Sequence, residues 1–429
     1  MKPSLRLALA IGHGTDDTIA PVWKGLVVFG ITYVLVAGRR LRWLPVDRPS
    51  GAMIGAVLAV VLGAVSAAEA GAAVDKSTLT LLFAVMGMGA FLSIDGFLDR
   101  ATPRLVRLAR TRGRLLGAIV WGSGILSAFV TNDAVCVLAA PLVVELIERW
   151  KLPRLPFLLA LATGANTGSV ATLVGNPQNM LCASLGELDF ATFLLHMGPV
   201  ALLGLTANHL LLAWLYRKEL HGELQAEPLP GKLFTPRTVL TLAVIAGTVF
   251  VYTAGGSLSF TALAGFVLLL LLHRVPAEKV WARVDWSILI FFGGLFIAVD
   301  ALARSGAVSA VFERAPLFDP SIGHLSYGRA AAFFMIGSNI VTNVPFILIV
   351  RPEMSRMPDP VLAWELLAMA STFAGNLTLL GSVANVIVAE KSQRIGGLSF
   401  MEYLRAGFPV AIVTTVIGTV WLVGLRLIH

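Results

Sequence analysis

Gly175-Asn176-Pro177-Gln178-Asn179 places a helix-breaking glycine and proline, together with three side-chain amides, inside an apolar stretch long enough to cross a bilayer. Backbone groups freed at such a break are intolerable against lipid, so the segment lines a cavity or bonds to neighbouring helices. A helix broken at depth offers half-helix N-termini to anions and C-terminal carbonyls to cations. The chemistry on offer is solute or ion coordination. Thr131-Asn132-Asp133 interrupts the apolar run 115–147 in a similar way. A carboxylate at mid-membrane costs about 2.5–3.5 kcal/mol even on permissive insertion scales, and such groups serve ion or proton pathways. Asp133 is therefore expected to bind a coupling cation or a proton; the alternative is a cap on the helix arm that follows it. Thr131 and Asn132 either coordinate solute or satisfy the backbone of a turn. Thr342 and Asn343 break the run 330–350, and Asn376, Gly381, Ser382 and Asn385 break the run 361–390.

These polar points come in ordered pairs. Ser127-Ala128-Phe129-Val130-Thr131-Asn132 resembles Ser338-Asn339-Ile340-Val341-Thr342-Asn343, and Thr172 to Asn179 resembles Thr378 to Asn385. Two matches in the same order point to an internal duplication.

The elements that must carry them follow from composition. Of 429 residues, 57% are hydrophobic and 14% charged, with a mean hydropathy of +0.82, whereas soluble chains carry roughly 25% charged residues. A water-soluble fold is excluded, and unbroken apolar runs in place of alternating short strands exclude a barrel. The expected fold is an all-α polytopic membrane protein of about ten transmembrane helices. Two polar-tipped segments, near 115–147 and 330–350, are expected to be re-entrant hairpins. Arginines flank the first hairpin on both sides, so its two ends share a face, and most of the 33 lysines and arginines fall on that face, which places both termini outside. The second hairpin then enters from the opposite face, which makes the two halves inverted repeats. The expected division is residues 1–40 as N-terminal segment and first span, 41–216 as first repeat, 217–236 as a cytoplasmic linker and 237–429 as second repeat.

A net charge of +8 suggests nucleic acid only until the arginines are located; they sit in short segments between apolar runs and set orientation. Cys136 and Cys182 lie within apolar segments and support no disulfide framework. Glu69, Lys24 and Asp300 are expected at span ends, and His209 in helix packing. No metal-binding His-Glu-x-x-His and no phosphate-binding glycine loop is present, so neither an enzyme, nor a cofactor, nor a structural metal is expected.

Ser127 to Pro141 (SAFVTNDAVCVLAAP), Val174 to Asn179 (VGNPQN), Asp285 to Phe296 (DWSILIFFGGLF), Ser338 to Pro345 (SNIVTNVP) and Gly375 to Glu390 together resemble the ion transporter superfamily. That superfamily includes citrate and other dicarboxylate transporters, arsenite/antimonite permeases and D-type sodium–proton antiporters. The resemblance implies inverted repeats with two re-entrant hairpins, elevator-like movement of a transport region, and a scaffold that often mediates dimerisation, hence a homodimer. It also implies a sodium site at Asn132, Asp133 and Asn343. In dicarboxylate members Ser-Asn-Thr tips hold sodium and carboxylate; here only Asn132 and Asn343 carry over, and Asp133 and Val344 take the third tip position. A carboxylate beside a dianion is repulsive, so the pattern is nearer the arsenite-permease and antiporter branch. The implied activity is secondary transport of a small anion or oxyanion, arsenite-like or organic, across a plasma membrane, the bacterial inner membrane, coupled to H+ or Na+. The alternatives are a Na+/H+ antiporter, a dicarboxylate or citrate transporter, and a non-transporting receptor or scaffold.

Overall fold

The computed structural model describes residues 22–37, 46–224, 231–314 and 316–428. The expectations for residues 1–21, 38–45 and 225–230 therefore lie outside the described residues. Among the described residues the architecture is all helical, apart from one isolated bridge between Thr111 and Glu223.

The first half comprises α1 (Val22–Ala37), α2 (Arg48–Val61), α3 (Ala67–Ala73), α4 (Lys76–Ile94), α5 (Phe97–Ala109), α6 (Arg112–Phe129), α7 (Asn132–Arg149), α8 (Arg154–Ser169), α9 (Pro177–Gly186) and α10 (Phe190–Leu215). The second repeats the order with α11 (Pro236–Thr253), α12 (Leu258–His273), α13 (Ala277–Trp281), α14 (Trp286–Arg304), α15 (Ala307–Arg314), α16 (Leu325–Val341), α17 (Asn343–Met354), α18 (Pro360–Ala374), α19 (Val383–Lys391) and α20 (Phe400–Ile428). Each first-half helix has a counterpart ten places on, and the packing respects that exchange. Helix α4 packs on α12 as α14 packs on α2; α6 lies on α8 as α16 lies on α18; α7 meets α19 as α17 meets α9; α10 and α20 pack on each other. This is the packing of two structural repeats that interlock, each completing the other's core.

Helices α4, α10, α11, α14 and α20 are long and apolar enough to cross a membrane, and α1, α2, α12 and α18 are shorter apolar helices. The two expected hairpins are α6–α7, turning at Val130 and Thr131, and α16–α17, turning at Thr342. Local sequence sets the ends. Asp75, Thr111, Asp189, Thr235 and Asp359 each accept a backbone N–H two or three residues into the helix they cap.

Some elements depart from the runs read in the sequence. The run 51–70 is two helices, because Gly63 takes φ +63 between α2 and the separately capped α3. The arginine-rich stretch after residue 97 is the amphipathic helix α5, whose Val106 and Ala109 are buried and Arg107 exposed, while the half-buried Arg100 donates to Leu233 O at 3.3 Å and Thr238 Oγ1 at 2.9 Å and Arg104 donates to Gly231 O. A thirteen-residue amphipathic helix is too short and too charged to register as a span. In the linker, Leu224 N–H donates to Arg110 O at 2.8 Å and Gly222 O accepts from Arg112 N at 3.2 Å, so its start is pinned to the α5–α6 turn.

The two halves also meet in a rigid wall. Helices α2 and α14 approach so closely that a Cβ on Gly294 would fall 2.6 Å from the Ala52 carbonyl carbon. Gly294→Ala is expected to force those helices apart and cost about 1–3 kcal/mol, seen as a lower thermal midpoint in detergent. Beside that wall a buried cluster ties α4, α11 and α12, with Thr241 Oγ1 donating to Asp95 Oδ2 at 2.7 Å and His273 Nε2 3.3 Å from the same oxygen.

Candidate functional site

Both hairpin tips and both helix breaks end at one place. The chain is broken between α8 and α9 and again between α18 and α19, and α7, α9, α17 and α19 all begin there. Asn132 and Asp133 open α7, Pro177 and Gln178 open α9, Asn343 and Val344 open α17, and Ser382 and Val383 follow the second break; all eight line one cleft of about 70 Å³. Thr342, Leu380 and Gly381 complete that side, and Arg48, Ile288, Phe291 and Phe292 from α2 and α14 face it. Four helix N-termini therefore converge on a shared space, each carrying roughly half a positive charge and unsatisfied N–H groups.

Behind the lining, the remaining sequence-derived residues form a buried lattice that repeats across the two halves. Asn176 Nδ2 donates to Thr372 Oγ1 at 3.2 Å, and its counterpart Ser382 Oγ donates to Asn166 Oδ1 at 3.1 Å. Thr372 Oγ1 donates to Asn179 Oδ1 at 3.1 Å, while Asn166 Nδ2 donates to Asn385 Oδ1 at 2.9 Å. Asn179 and Asn385 also close their own breaks, donating to Thr172 O at 2.8 Å and to Gly375 O at 2.7 Å. The carbonyls freed by each interruption thus find partners without water.

The tips are tied to the opposite breaks of their own halves. Asn132 N–H donates to Gly175 O at 3.0 Å, and Asn343 Nδ2 donates to Gly381 O at 3.2 Å. Glycine is required at 175, where a Cβ would lie 2.1 Å from Ser169 O. Asn132 spends both ends of its amide within the protein: Nδ2 donates to Asn166 Oδ1 at 2.8 Å and Oδ1 accepts from Asp133 N–H. Asn376 joins Asn166 to Thr167.

Thr131 Oγ1 accepts from Ala134 N–H and so caps α7. That leaves Asp133 free of the capping duty weighed for it in the sequence. Its buried carboxyl lies in the fields of Arg48, Asp285 and the Ala384 N–H at the start of α19. In the second half Asn343 Oδ1 and Thr342 Oγ1 have no partner, and neither has Gln178 Oε1. Two of these lone oxygens are amide acceptors, and the third, the Thr342 hydroxyl, can accept or donate. Thr342 sits at φ +74, a costly conformation for a β-branched residue and one that persists where its surroundings impose it. Thr342→Gly is expected to leave the thermal midpoint unchanged or higher while raising the KM for transported solute roughly 3- to 10-fold, the worth of one hydrogen bond; flux kinetics and a melt in detergent check both.

Of the residues singled out in the sequence, Asn132, Asp133, Pro177, Gln178, Thr342, Asn343, Gly381 and Ser382 line the cleft. Thr131, Gly175, Asn176, Asn179, Asn376 and Asn385 sit behind it as caps, close contacts or lattice members. Asn166, Thr372, Arg48 and Asp285 were not singled out as site residues. Extending the second repeat match upstream by a few residues would have aligned Asn166 with Thr372. Cys136 and Cys182 are buried free thiols. Arg48 was grouped with the orientation arginines, yet it opens α2, whose cap Asp47 accepts from Ser50 N–H at 2.9 Å. That bond, with the Ser50 hydroxyl, holds the Asp47 carboxyl below the usual carboxylate range.

Over residues 33–374 the sequence matches the family described as Citrate transporter. The silicon efflux transporter LSI3 of Oryza sativa subsp. japonica is 31% identical, over 94% of this chain and 97% of its own. A putative transporter arsB of Dictyostelium discoideum is 26% identical, over 94% of this chain and 92% of its own. Among solved structures, the YdaH transporter of Alcanivorax borkumensis shares the fold, with a TM-score of 0.56 at 16% identity over 94% of this chain and 97% of that one.

Proposed function

The chain belongs to the citrate transporter family, and from that premise we propose that it is a secondary active transporter of a small anion or oxyanion, coupled to H+ or Na+. It is a multi-pass membrane transporter rather than an enzyme. The observation that carries the finer reading is the convergence of four helix N-termini on one cleft, an arrangement that favours negative or oxygen-rich solutes. The unpartnered oxygens of Thr342, Asn343 and Gln178 suit a solute that also donates hydroxyl hydrogens, as a small oxyacid such as arsenite or silicic acid does. Citrate carries three carboxylates, and the cleft lining offers one basic side chain.

Asp133, with Asn132 and Asn343, is assigned the coupling cation. Transport proceeds by elevator motion: the hairpins with α8–α10 and α18–α20 carry the solute past a scaffold of α1–α4 and α11–α14. Residues 41–216 and 237–429 are the two inverted repeats, the scaffold holds a homodimer, and the chain lies in the bacterial inner membrane with both termini outside.

The test is flux in proteoliposomes under imposed proton or sodium gradients, with arsenite, silicic acid and citrate supplied separately. Gradient-driven movement of arsenite or silicic acid is the expected result. Asp133, the one acid in the lining, favours a second reading as a Na+/H+ antiporter; sodium-dependent proton release with no solute present would establish it in place of the first.

A further inference from the structure

Resting on that reading, we propose that Arg48 is the counter-charge of the cleft, paired electrostatically with Asp133 when that carboxylate is empty and turned over to a solute oxygen when Asp133 takes its cation. Among the residues that line the cleft, Arg48 is the one base and Asp133 the one acid. They belong to different parts of the molecule. Asp133 is the second residue of α7, on a hairpin tip, whereas Arg48 begins α2, which is packed between α1 and α14. The backbone that presents Arg48 is fixed by the Asp47 cap and by Pro49 behind it. Opposite the tips, Ile288, Phe291 and Phe292 make the rest of that wall apolar, so charge in the cleft is poorly screened by water.

One other charge bears on the pair. Asp285 caps α14, its Oδ1 accepting from Ser287 N–H at 3.0 Å and Ile288 N–H at 3.3 Å, and its carboxylate repels that of Asp133 while lying on the same wall as Arg48. From α7 itself Cys136 lies one turn beyond Asp133, and from α19 the Ala384 N–H adds a positive dipole. The α9 and α17 contributions, Gln178 and Asn343, are neutral. An ionised Asp133, together with the charge of Asp285, thus balances a guanidinium and four helix N-termini. Once a cation neutralises the carboxylate, the positive potential exceeds what Asp285 alone offsets, and a solute oxygen takes the place of the carboxylate beside Arg48. Binding of cation and solute then favour one another, and linkage makes the effect reciprocal.

The test uses the full-length protein in proteoliposomes with arsenite and citrate as probes, comparing wild type, R48Q, R48K, D133N and the R48Q/D133N double variant. For the probe that wild type carries, R48Q is expected to raise KM about tenfold and to weaken its dependence on the imposed gradient, while R48K stays within about threefold of wild type. In the D133N background, R48Q is expected to raise KM by at least the same factor, because Arg48 there faces solute without competition. A purely structural arginine would lower the thermal midpoint and maximal flux and leave KM in place; that outcome, or R48K behaving like R48Q, overturns the proposal. If R48Q does not fold, R48K and D133N carry the test: D133N with a KM still dependent on the gradient overturns it as well. Wild-type protein carrying neither probe nor silicic acid overturns the transport reading on which this inference rests, whereas wild-type flux with R48Q unaffected overturns the role of Arg48 alone.

Discussion

Replacing Asn166 with leucine is expected to abolish transport and to lower the thermal midpoint by roughly 5–10 °C, the latter estimate following from a loss of several kcal/mol in a chain of 429 residues. Asn166 donates to Asn376 Oδ1 and Asn385 Oδ1 and accepts from Asn132 Nδ2 and Ser382 Oγ. All five residues are buried, with Asn166 itself 1% exposed. Each group left without a partner at such a site costs about 1–3 kcal/mol, and four are affected together. The loss also reaches function directly, since Asn132 would lose the bond that orients the first tip toward the cleft. Asn166→Thr is expected to retain part of the activity. Its counterpart in the other repeat is Thr372, whose hydroxyl bridges Asn176 and Asn179 in the same relative position. Melting curves in detergent and arsenite flux should rank wild type, threonine variant and leucine variant in that order. Equal behaviour of the two variants would show that volume, not hydrogen bonding, decides at this position.

That hub also shows which parts of the molecule could be read from the chain. The hairpins were legible because Thr131-Asn132-Asp133 and Thr342-Asn343 place consecutive polar groups where a simple span would have none, and α6–α7 and α16–α17 enclose the runs read for them. The breaks were legible because glycine and amides recur in order in both halves. Asn166 and Thr372 were not, since Asn166 lies among Thr163, Thr167 and Ser169 and Thr372 follows Ser371, and small polar residues of this kind bond readily within their own helix without marking a break. Helix α5 escaped because periodicity over so short and charged a segment resembles a basic loop. Arg48 escaped for a different reason: a positive charge at the end of a span is ordinarily an orientation signal, and only the packing of α2 against α14 brings it to the cleft. Local patterns reveal where a helix must stop; which neighbour receives the freed groups is settled by contacts between residues some two hundred positions apart, such as Asn176 with Thr372.

Asp133→Asn keeps the shape of the tip and removes its charge, so its effect separates coupling from architecture. Thr131 caps α7 and Asn132 anchors the tip to Asn166, so neither structural duty falls on Asp133. The fold is accordingly expected to survive, with a thermal midpoint close to that of wild type, because the neutral amide relieves the repulsion from Asp285 but leaves Arg48 without its counter-charge. Accumulation of solute against a gradient is expected to be lost, since a carrier without its cation-binding carboxylate can only equilibrate solute down its own gradient. What flux remains should ignore imposed proton and sodium gradients alike. Measured side by side in proteoliposomes, a variant that still concentrates solute in response to either gradient would place the coupling site elsewhere. Asp133→Glu completes the comparison: it restores the charge but lengthens the side chain in a cleft of about 70 Å³. Partial recovery of gradient response with a raised KM is the expected result, because the carboxylate and the solute then draw on the same confined space.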